Sequence, residues 1–171
     1  MTAPGAGQPG ADAQALRDAT LLLDNQLCFL AARLHRALND RYRPILGTLG
    51  LTYPQYLAML ALWEEEPVTV GHLGERLRLD SGTLSPLLKR LEAGGLVTRT
   101  RSTDDERSVA VGLTDAGRAL RAEARDVPTL VGSCIAGSPD QYAQVRQSLT
   151  EILDRVERAQ PVPLALGGVG D

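Results

Sequence analysis

The two cysteines are the residues of this chain whose chemistry could be most specific. Cys28 lies in an apolar stretch with helical spacing, and Cys134, the second cysteine, lies far along the chain. A thiolate can attack a peroxide, and the sulfenic acid that forms is recovered when a second thiol condenses with it. A single cysteine in an apolar helix is usually a small buried hydrophobe, however, and the residues alone favour that interpretation for Cys28.

Metal chemistry and enzymatic turnover have little support in the sequence. The two histidines, His35 and His72, provide no plausible ligand set for a metal, so neither a metal nor another cofactor is expected. No peroxidase motif surrounds Cys28, and we expect a protein that is not an enzyme. His35 lies two helical turns after Cys28, where a solvated histidine is the favoured interpretation.

Length and composition indicate one domain, or a DNA-binding lobe with helical extensions, between two tails. The chain has 171 residues, of which 43% are hydrophobic, enough for a packed core. Residues 1–12 and 161–171 are predicted to be disordered tails, since both ends are rich in Gly and Pro. Neither a signal peptide nor a membrane-spanning run is found, so we expect a cytoplasmic location, reduced thiols and no membrane partner.

A leucine stripe predicts one long first helix over 13–42. The leucines recur mainly at spacings of three and four, which is typical of an amphipathic helix. Pro44 disfavours continuation of the helix, and Gly47 and Gly50 supply stops. Because the stripe needs a partner, 13–50 is interpreted as an N-terminal dimerisation and sensor helix.

The stretch 79–95 predicts a DNA-reading helix. Leucines at positions 84, 87, 88 and 91 form a narrow apolar seam, and Pro86 is tolerated in the first turn if the helix begins near Gly82. Short hydroxyl side chains and basic side chains lie away from the seam and suit entry into a DNA groove. The candidate DNA contacts of this helix and the strand after it are Ser81, Thr83, Ser85, Lys89, Arg90 and Arg99.

Two alternating runs over 96–102 and 108–114 predict a two-stranded β-wing after the reading helix. Upstream, Thr52 and Gln55 form a capping signature, and helices are predicted over 54–65 and 70–78. The predicted fold class is therefore mainly α with a small two-stranded β-wing (α+β), with a winged helix-turn-helix lobe over 51–114.

Further helices are predicted after the wing. Thr114 can cap a helix that continues toward Asp126, and Ser138 with Pro139 opens a last helix to about Arg158. Helices that flank a DNA-binding lobe commonly bury their stripes in a two-fold dimer, which places two reading helices on a palindromic operator. We therefore interpret 115–160 as C-terminal dimerisation helices and expect a homodimer that binds double-stranded DNA. The net charge of −3 argues only against indiscriminate binding of nucleic acid.

Several stretches of the chain resemble one family of regulators. They are Asn25-Gln-Leu-Cys-Phe29, Leu51-Thr-Tyr-Pro-Gln-Tyr56, the reading helix and Asp104-Asp-Glu-Arg-Ser108. Together they are similar to the MarR family of winged-helix regulators and, more narrowly, to its OhrR branch of organic hydroperoxide sensors of the two-cysteine type. The resemblance covers about 21–158 and implies a homodimeric repressor that releases its operator when an organic hydroperoxide oxidises an N-terminal cysteine.

The resemblance also implies roles for residues around the thiol. Cys28 matches the reactive cysteine, and Tyr42 and Tyr53 match phenols that hydrogen-bond this thiol across the dimer. Cys134 falls where two-cysteine members keep a resolving thiol, which implies that the sulfenate of Cys28 condenses with the partner subunit's Cys134. Some members carry a further tyrosine four residues after the cysteine, where this chain has Ala32.

In the wing, the resemblance matches Asp105 and Arg107 to a pair that holds an arginine at the hairpin tip for the minor groove. A narrow minor groove attracts arginine through its enhanced negative potential.

Three other functions are kept as alternatives. A MarR-type regulator released by a small aromatic ligand would not need Cys28. A thiol peroxidase would consume peroxide repeatedly in the absence of DNA. A helical interaction protein would show no salt-dependent operator binding.

Overall fold

The structure, a computed structural model, describes residues 18–101 and 109–160. The chain divides into two compact units, Met1–Val127 and Pro128–Asp171. Both predicted tails and the wing turn at 102–108 lie outside the described residues.

The N-terminal helical region is interrupted, so the prediction of one continuous helix over 13–42 is wrong. Residues 18–20 are helical, a 3-10 turn covers Leu23–Asn25, and helix α1 covers Leu27–Thr48. The side-chain amide of Asn25 donates to the carbonyl of Ala19 at 2.7 Å, and that of Gln26 donates to the carbonyl of Thr20. These amides take the place of backbone donors, and such local bonds compete with helix formation.

Helix α1 also continues past Pro44, although the sequence predicts that it stops before this proline. Pro44 has no N–H to donate to the carbonyl of Asp40, four residues earlier. Both residues are exposed, so water can bond to that carbonyl and the loss is small. Of the two predicted stops, Gly47 lies inside α1 and is therefore wrong, whereas Gly50, at φ +67°, lies in the turn after the helix.

Helix α2 (Tyr53–Glu64) begins where the capping signature predicts. Oε1 of Gln55 accepts from the backbone N–H of Thr52 at 2.8 Å and from its hydroxyl at 2.9 Å. The helix crosses the middle of the core, in which it buries Tyr56, Ala58, Met59, Ala61, Leu62 and Trp63.

Helices α3 (Val70–Leu77) and α4 (Ser81–Ala93) form the helix-turn-helix. The predicted seam of α4 is confirmed, because its four leucines are all buried. Pro86 is the sixth residue of α4, so its predicted place in the first turn is wrong. The helix tolerates it because the carbonyl that loses its donor belongs to exposed Gly82. Gly95, at φ +71°, follows the end of α4.

The wing hairpin is confirmed, and a third short strand joins it. Strands β2 (Val97–Arg101) and β3 (Val109–Leu113) pair antiparallel, with Val97 opposite Leu113. Strand β1 (Val68–Thr69) pairs with β3, giving the order β1-β3-β2. The predicted two-stranded sheet therefore has three strands, since a two-residue strand carries no detectable alternation.

After the wing, the single helix predicted toward Asp126 is broken into segments. Helix α5 covers Asp115–Glu123 and is followed by a 3-10 turn over Ala124–Asp126 and by α6 (Val127–Gly132). The last helix, α7 (Pro139–Arg158), is confirmed together with its Ser138 cap. Among the described residues, no single helix is both long enough and apolar enough to cross a membrane. Helices α1 and α2 reach that length and hydropathy only when taken together as a bent pair.

Candidate DNA interface and thiol site

Asp80 anchors the start of the reading helix α4. Its Oδ1 accepts from the backbone N–H of Thr83 at 2.9 Å, and its Oδ2 accepts from the hydroxyl of Thr83 at 3.1 Å. These hydrogen bonds hold the pKa of the Asp80 carboxyl below its usual value. Asp80 was predicted to lie in a turn, although an aspartate before an apolar seam is a typical N-cap.

The predicted DNA contacts on α4 lie on its outer side, opposite the buried leucines. Ser81, Thr83, Lys89 and Arg90 are exposed, whereas Ser85 is half-buried. Neither Lys89 nor Arg90 forms an ion pair with an acidic residue in the part of the chain that the structure describes. This face therefore combines two unneutralised cations with short hydroxyls, which suits phosphates and base edges.

Arg99 differs from these cations because an acid from α4 holds it. Its Nε and Nη2 both donate to Oε2 of Glu92, at 2.9 and 2.6 Å, and only 27% of its side chain is exposed. Hydrogen bonding to Arg99 lowers the pKa of the Glu92 carboxyl. The pair fastens the reading helix to the wing strand β2, a role that the sequence analysis missed. The other wing candidates, Asp105 and Arg107, lie outside the described residues.

Cys28 is the second residue of α1 and is exposed, so it lies at a helix start rather than inside the long helix that the sequence predicts. The first backbone N–H groups of a helix have no partner within it and favour an anion. Three leucines on the same helix, Leu27, Leu30 and Leu34, are 64%, 57% and 43% exposed. The thiol is therefore accessible and lies on a helix with an uncovered apolar side.

Three tyrosines cluster where α1 packs against α2. The ring of Tyr42 lies 4.7 Å from that of Tyr53 and 6.0 Å from that of Tyr56, measured between centroids. His35 contacts the ring of Tyr53 edge-on at 6.4 Å, and its Nε2 lies 3.0 Å from Nδ2 of Asn39. Burial, followed by the nearby Tyr53, raises the pKa of the Tyr56 hydroxyl.

The tyrosine cluster contains a phenol that the sequence analysis did not single out. The hydroxyl of Tyr56 and Oδ1 of Asn39 are buried and have no hydrogen-bond partner among the described residues. Buried polar groups are normally paired, so each of these two atoms is an exception within the described residues of one chain.

The structure places Cys28 and Tyr42 far apart within one chain. Both lie on α1, and their separation of fourteen residues corresponds to about 21 Å along the helix axis. The thiol of Cys28 therefore cannot bond to the hydroxyl of Tyr42 in the same chain. The ring of Tyr53 lies tilted against that of Tyr42, so the two phenols belong to one cluster.

In the second unit, Cys134 lies in the turn after α6 and is exposed. Its sulfur lies 3.8 Å from the carbonyl oxygen of Leu130, and its backbone N–H donates to the carbonyl of Val131. Helix α7 buries no residue and presents an apolar stripe whose members are between 39% and 67% exposed. The stripe consists of Tyr142, Val145, Leu149, Ile152, Leu153 and Val156.

Metal ligands do not gather in the described residues, where no group of three or more His, Cys, Asp or Glu side chains could hold an ion.

Comparison with known proteins gives consistent matches. The MarR family model matches residues 51–109. The chain is 46% identical over 136 residues to the organic hydroperoxide resistance transcriptional regulator of Bacillus subtilis (strain 168), a match that covers 80% of this chain and 92% of that protein.

Solved structures of AbfR, a protein of Staphylococcus epidermidis, are also similar. Reduced AbfR bound to DNA matches with a TM-score of 0.66 and 36% identity, over 85% of this chain and 98% of that one. Disulfide-formed AbfR matches with a TM-score of 0.59 and 36% identity, over 89% and 100%. On these matches and its winged-helix lobe, the chain belongs to the MarR family of transcriptional regulators.

Proposed function

We propose that this MarR-family protein is a DNA-binding repressor that releases its operator when an organic hydroperoxide oxidises Cys28. The observation that carries the proposal is the exposed thiol of Cys28 at the start of α1, where a peroxide can reach the sulfur. The similarity to a hydroperoxide resistance regulator supports the same chemistry.

A homodimer is the form in which the chain binds its operator. The leucine side of α1 and the stripe of α7 remain uncovered in one chain, and burying a Leu or Ile side chain stabilises a contact by about 1.5–3 kcal/mol. A two-fold dimer then presents two copies of α4 to successive major grooves of a palindromic site. The DNA contacts come from two groups of residues. Those on α4 are Ser81, Thr83, Ser85, Lys89 and Arg90, and those in the wing are Arg99, Asp105 and Arg107.

The phenols of Tyr42 and Tyr53 act on the thiol of the partner subunit. Tyr42 lies about 21 Å from Cys28 along α1, which removes contact between these two residues within one chain. In a dimer, one chain's tyrosine cluster faces the other chain's Cys28, and its hydroxyls donate to the thiolate.

Oxidation proceeds in two steps, formation of a sulfenic acid and then of a disulfide. The thiolate of Cys28 attacks one peroxide oxygen, the O–O bond breaks, and the other oxygen leaves with a proton as the alcohol. The thiol of the partner subunit's Cys134 then attacks the sulfenic sulfur, a disulfide forms, and the hydroxyl leaves as water. The disulfide requires the two Cα atoms to approach to about 4.4–6.8 Å.

The covalent link changes the spacing of the two reading helices. Moving the bound population from 99:1 to 1:99 requires about 5.5 kcal/mol of differential stabilisation. A disulfide between the subunits supplies such a difference because it forms only in an arrangement that brings the two sulfurs together.

The test is operator binding by the wild type, Cys28→Ser and Cys134→Ser, with and without an organic hydroperoxide. We expect release by the wild type and retention by Cys28→Ser, because serine has no oxidisable sulfur. For Cys134→Ser, we expect no covalent dimer on non-reducing gels. Release of the Cys28→Ser protein by hydroperoxide would contradict the proposal and favour a regulator that responds through another site.

A further inference from the structure

Glu66, two residues after the end of α2, joins three elements of the first unit. Its Oε2 accepts from the backbone N–H of Leu113 at 2.6 Å and from Nη2 of Arg118 at 3.1 Å. Its Oε1 accepts from Nε of Arg118 at 2.8 Å. Leu113 is the last residue of β3, and Arg118 lies in the first turn of α5. The carboxylate of Glu66 therefore connects α2 to the wing and to α5.

The bond to Leu113 extends the sheet at a point before β1 begins. Val68 pairs with Val111, and extending that register by two residues places Glu66 opposite Leu113. If β1 were longer, a backbone carbonyl of β1 would accept the hydrogen bond from the N–H of Leu113. Here the side chain of Glu66 accepts it instead. Because only 22% of this side chain is exposed and its acceptor is charged, the contact is stronger than a solvated surface bond.

A second contact fixes the same end of α2 to α5. Nε1 of Trp63 donates to the carbonyl of Gly117 at 2.8 Å, in a buried position. A Cβ atom at Gly117 would overlap the carbonyl oxygen of Leu96, so α5 lies directly against the residue that precedes β2. The end of α2, the base of the wing and the start of α5 therefore form one block.

We propose that Glu66 is a positioning residue that makes the wing move as one body with α2. The inference rests on the proposed function in one respect, since Tyr53, the first residue of α2, belongs to the proposed thiol site. Helix α2 has 12 residues and spans about 18 Å. A displacement of its Tyr53 end during oxidation is carried through the stiff helix to Glu66, and from there to β3 and the DNA-reading wing.

The discriminating measurement is the ratio of operator affinities of the reduced and the hydroperoxide-treated protein. In Glu66→Gln we expect this ratio to fall by about fivefold or more, a size at the lower end of typical coupling between sites. A merely structural role would lower both affinities together and leave the ratio unchanged. The matched control is Glu64→Gln, which removes an ion pair between α2 and Arg76 of α3 at the same helix end without touching the wing.

Amide hydrogen exchange tests the tether without any oxidant. We expect Glu66→Gln to accelerate exchange at Leu113 and along β3, while Glu64→Gln leaves these amides as in the wild type. If Glu66→Gln folds poorly, Arg118→Gln is the alternative variant. It removes the guanidinium that binds the Glu66 carboxylate, at a half-exposed position.

Each outcome decides a separate question. An affinity ratio in Glu66→Gln that equals the wild-type ratio overturns the coupling, as does unchanged exchange along β3. A wild type that ignores hydroperoxide refutes the proposed function instead, and the exchange comparison still decides whether Glu66 holds the wing to α2.

Discussion

At the scale of single residues, acids organise the DNA-reading face that the basic residues define. Asp80 caps α4 and holds Thr83, while Glu92 binds Arg99 of the wing. Neither carboxylate adds attraction for phosphate, and both fix donors in place before DNA arrives. Such preorganisation reduces the entropy lost on binding, because fewer side chains become ordered at that moment.

The Asp80 cap predicts a specific dependence of stability on pH. Its folded pKa lies below the ordinary value of 3.8 because Thr83 donates to the carboxylate. A lowered folded pKa means that the cap stabilises the protein fully above the unfolded pKa and that this contribution disappears as the pH falls through the folded pKa. Asp80→Ala is therefore expected to lower the melting temperature by a few degrees at neutral pH and by less in acid.

Asp80→Asn is the matched control for this prediction. Asparagine caps helices about as well as aspartate but does not titrate. Its melting temperature should stay near that of the wild type at neutral pH, and the acid-dependent loss should be smaller. If Asp80→Ala and the wild type lose stability in parallel between neutral and acid pH, the carboxylate does not supply this contribution.

At the scale of elements, local signals predict the helices and strands that begin with caps or keep a clear period. Helices α2 and α7 begin within one residue of their predicted starts because Thr52 and Ser138 precede apolar periodic residues. The hairpin strands keep the predicted alternation, with Val97, Val111 and Leu113 buried. These elements depend on contacts between residues close in sequence, which a single sequence contains.

Other elements depend on contacts that no local pattern records. Strand β1 exists because β3 lies beside it, and the break before α1 depends on the side-chain amides of Asn25 and Gln26. Pro44 and Pro86 are tolerated because the carbonyls they leave unbonded belong to exposed residues. Exposure is a property of the folded chain, so the sequence could not reveal that α1 continues past Pro44.

The stripe of α7 predicts an oligomerisation defect when it is charged. Leu149, in the middle of the stripe, is 50% exposed in one chain. Leu149→Lys should leave the fold of the chain intact but convert dimers to monomers, since burying an unpaired ammonium group in an apolar interface is costly. Sedimentation equilibrium at several protein concentrations measures the change.

Gln147→Lys provides the comparison for Leu149→Lys. Gln147 is two residues away and thus on another face of α7, where its Nε2 donates to Glu151 at 2.9 Å. A lysine there can keep a contact with Glu151, and the dimer should persist. Equal effects of the two substitutions would show that added charge, rather than the stripe, controls association.

At the scale of the whole molecule, the proposed thiol site requires residues from two chains. Cys28, Tyr42 and Tyr53 are predicted from family resemblance, and the distance between Cys28 and Tyr42 along α1 is consistent with an arrangement across a dimer. The buried, unpartnered hydroxyl of Tyr56 was not foreseen, since burial depends on how α1 packs against α2. The residue types of the proposed site can therefore be predicted from the sequence. Their arrangement across two chains cannot be derived from a single chain.

A mixed dimer tests whether the disulfide joins two subunits. One subunit type carries Cys28→Ser and keeps Cys134, the other carries Cys134→Ser and keeps Cys28, and tags of different length distinguish them. After treatment with organic hydroperoxide, the mixed dimer should form one covalent bond between unlike chains, because only there do Cys28 and the partner subunit's Cys134 meet. Non-reducing electrophoresis should show this species alone, reversible by a thiol reductant, while each variant by itself stays uncrosslinked. If the wild type instead forms a disulfide within each chain and the mixed dimer forms none, the division of the site between subunits is wrong.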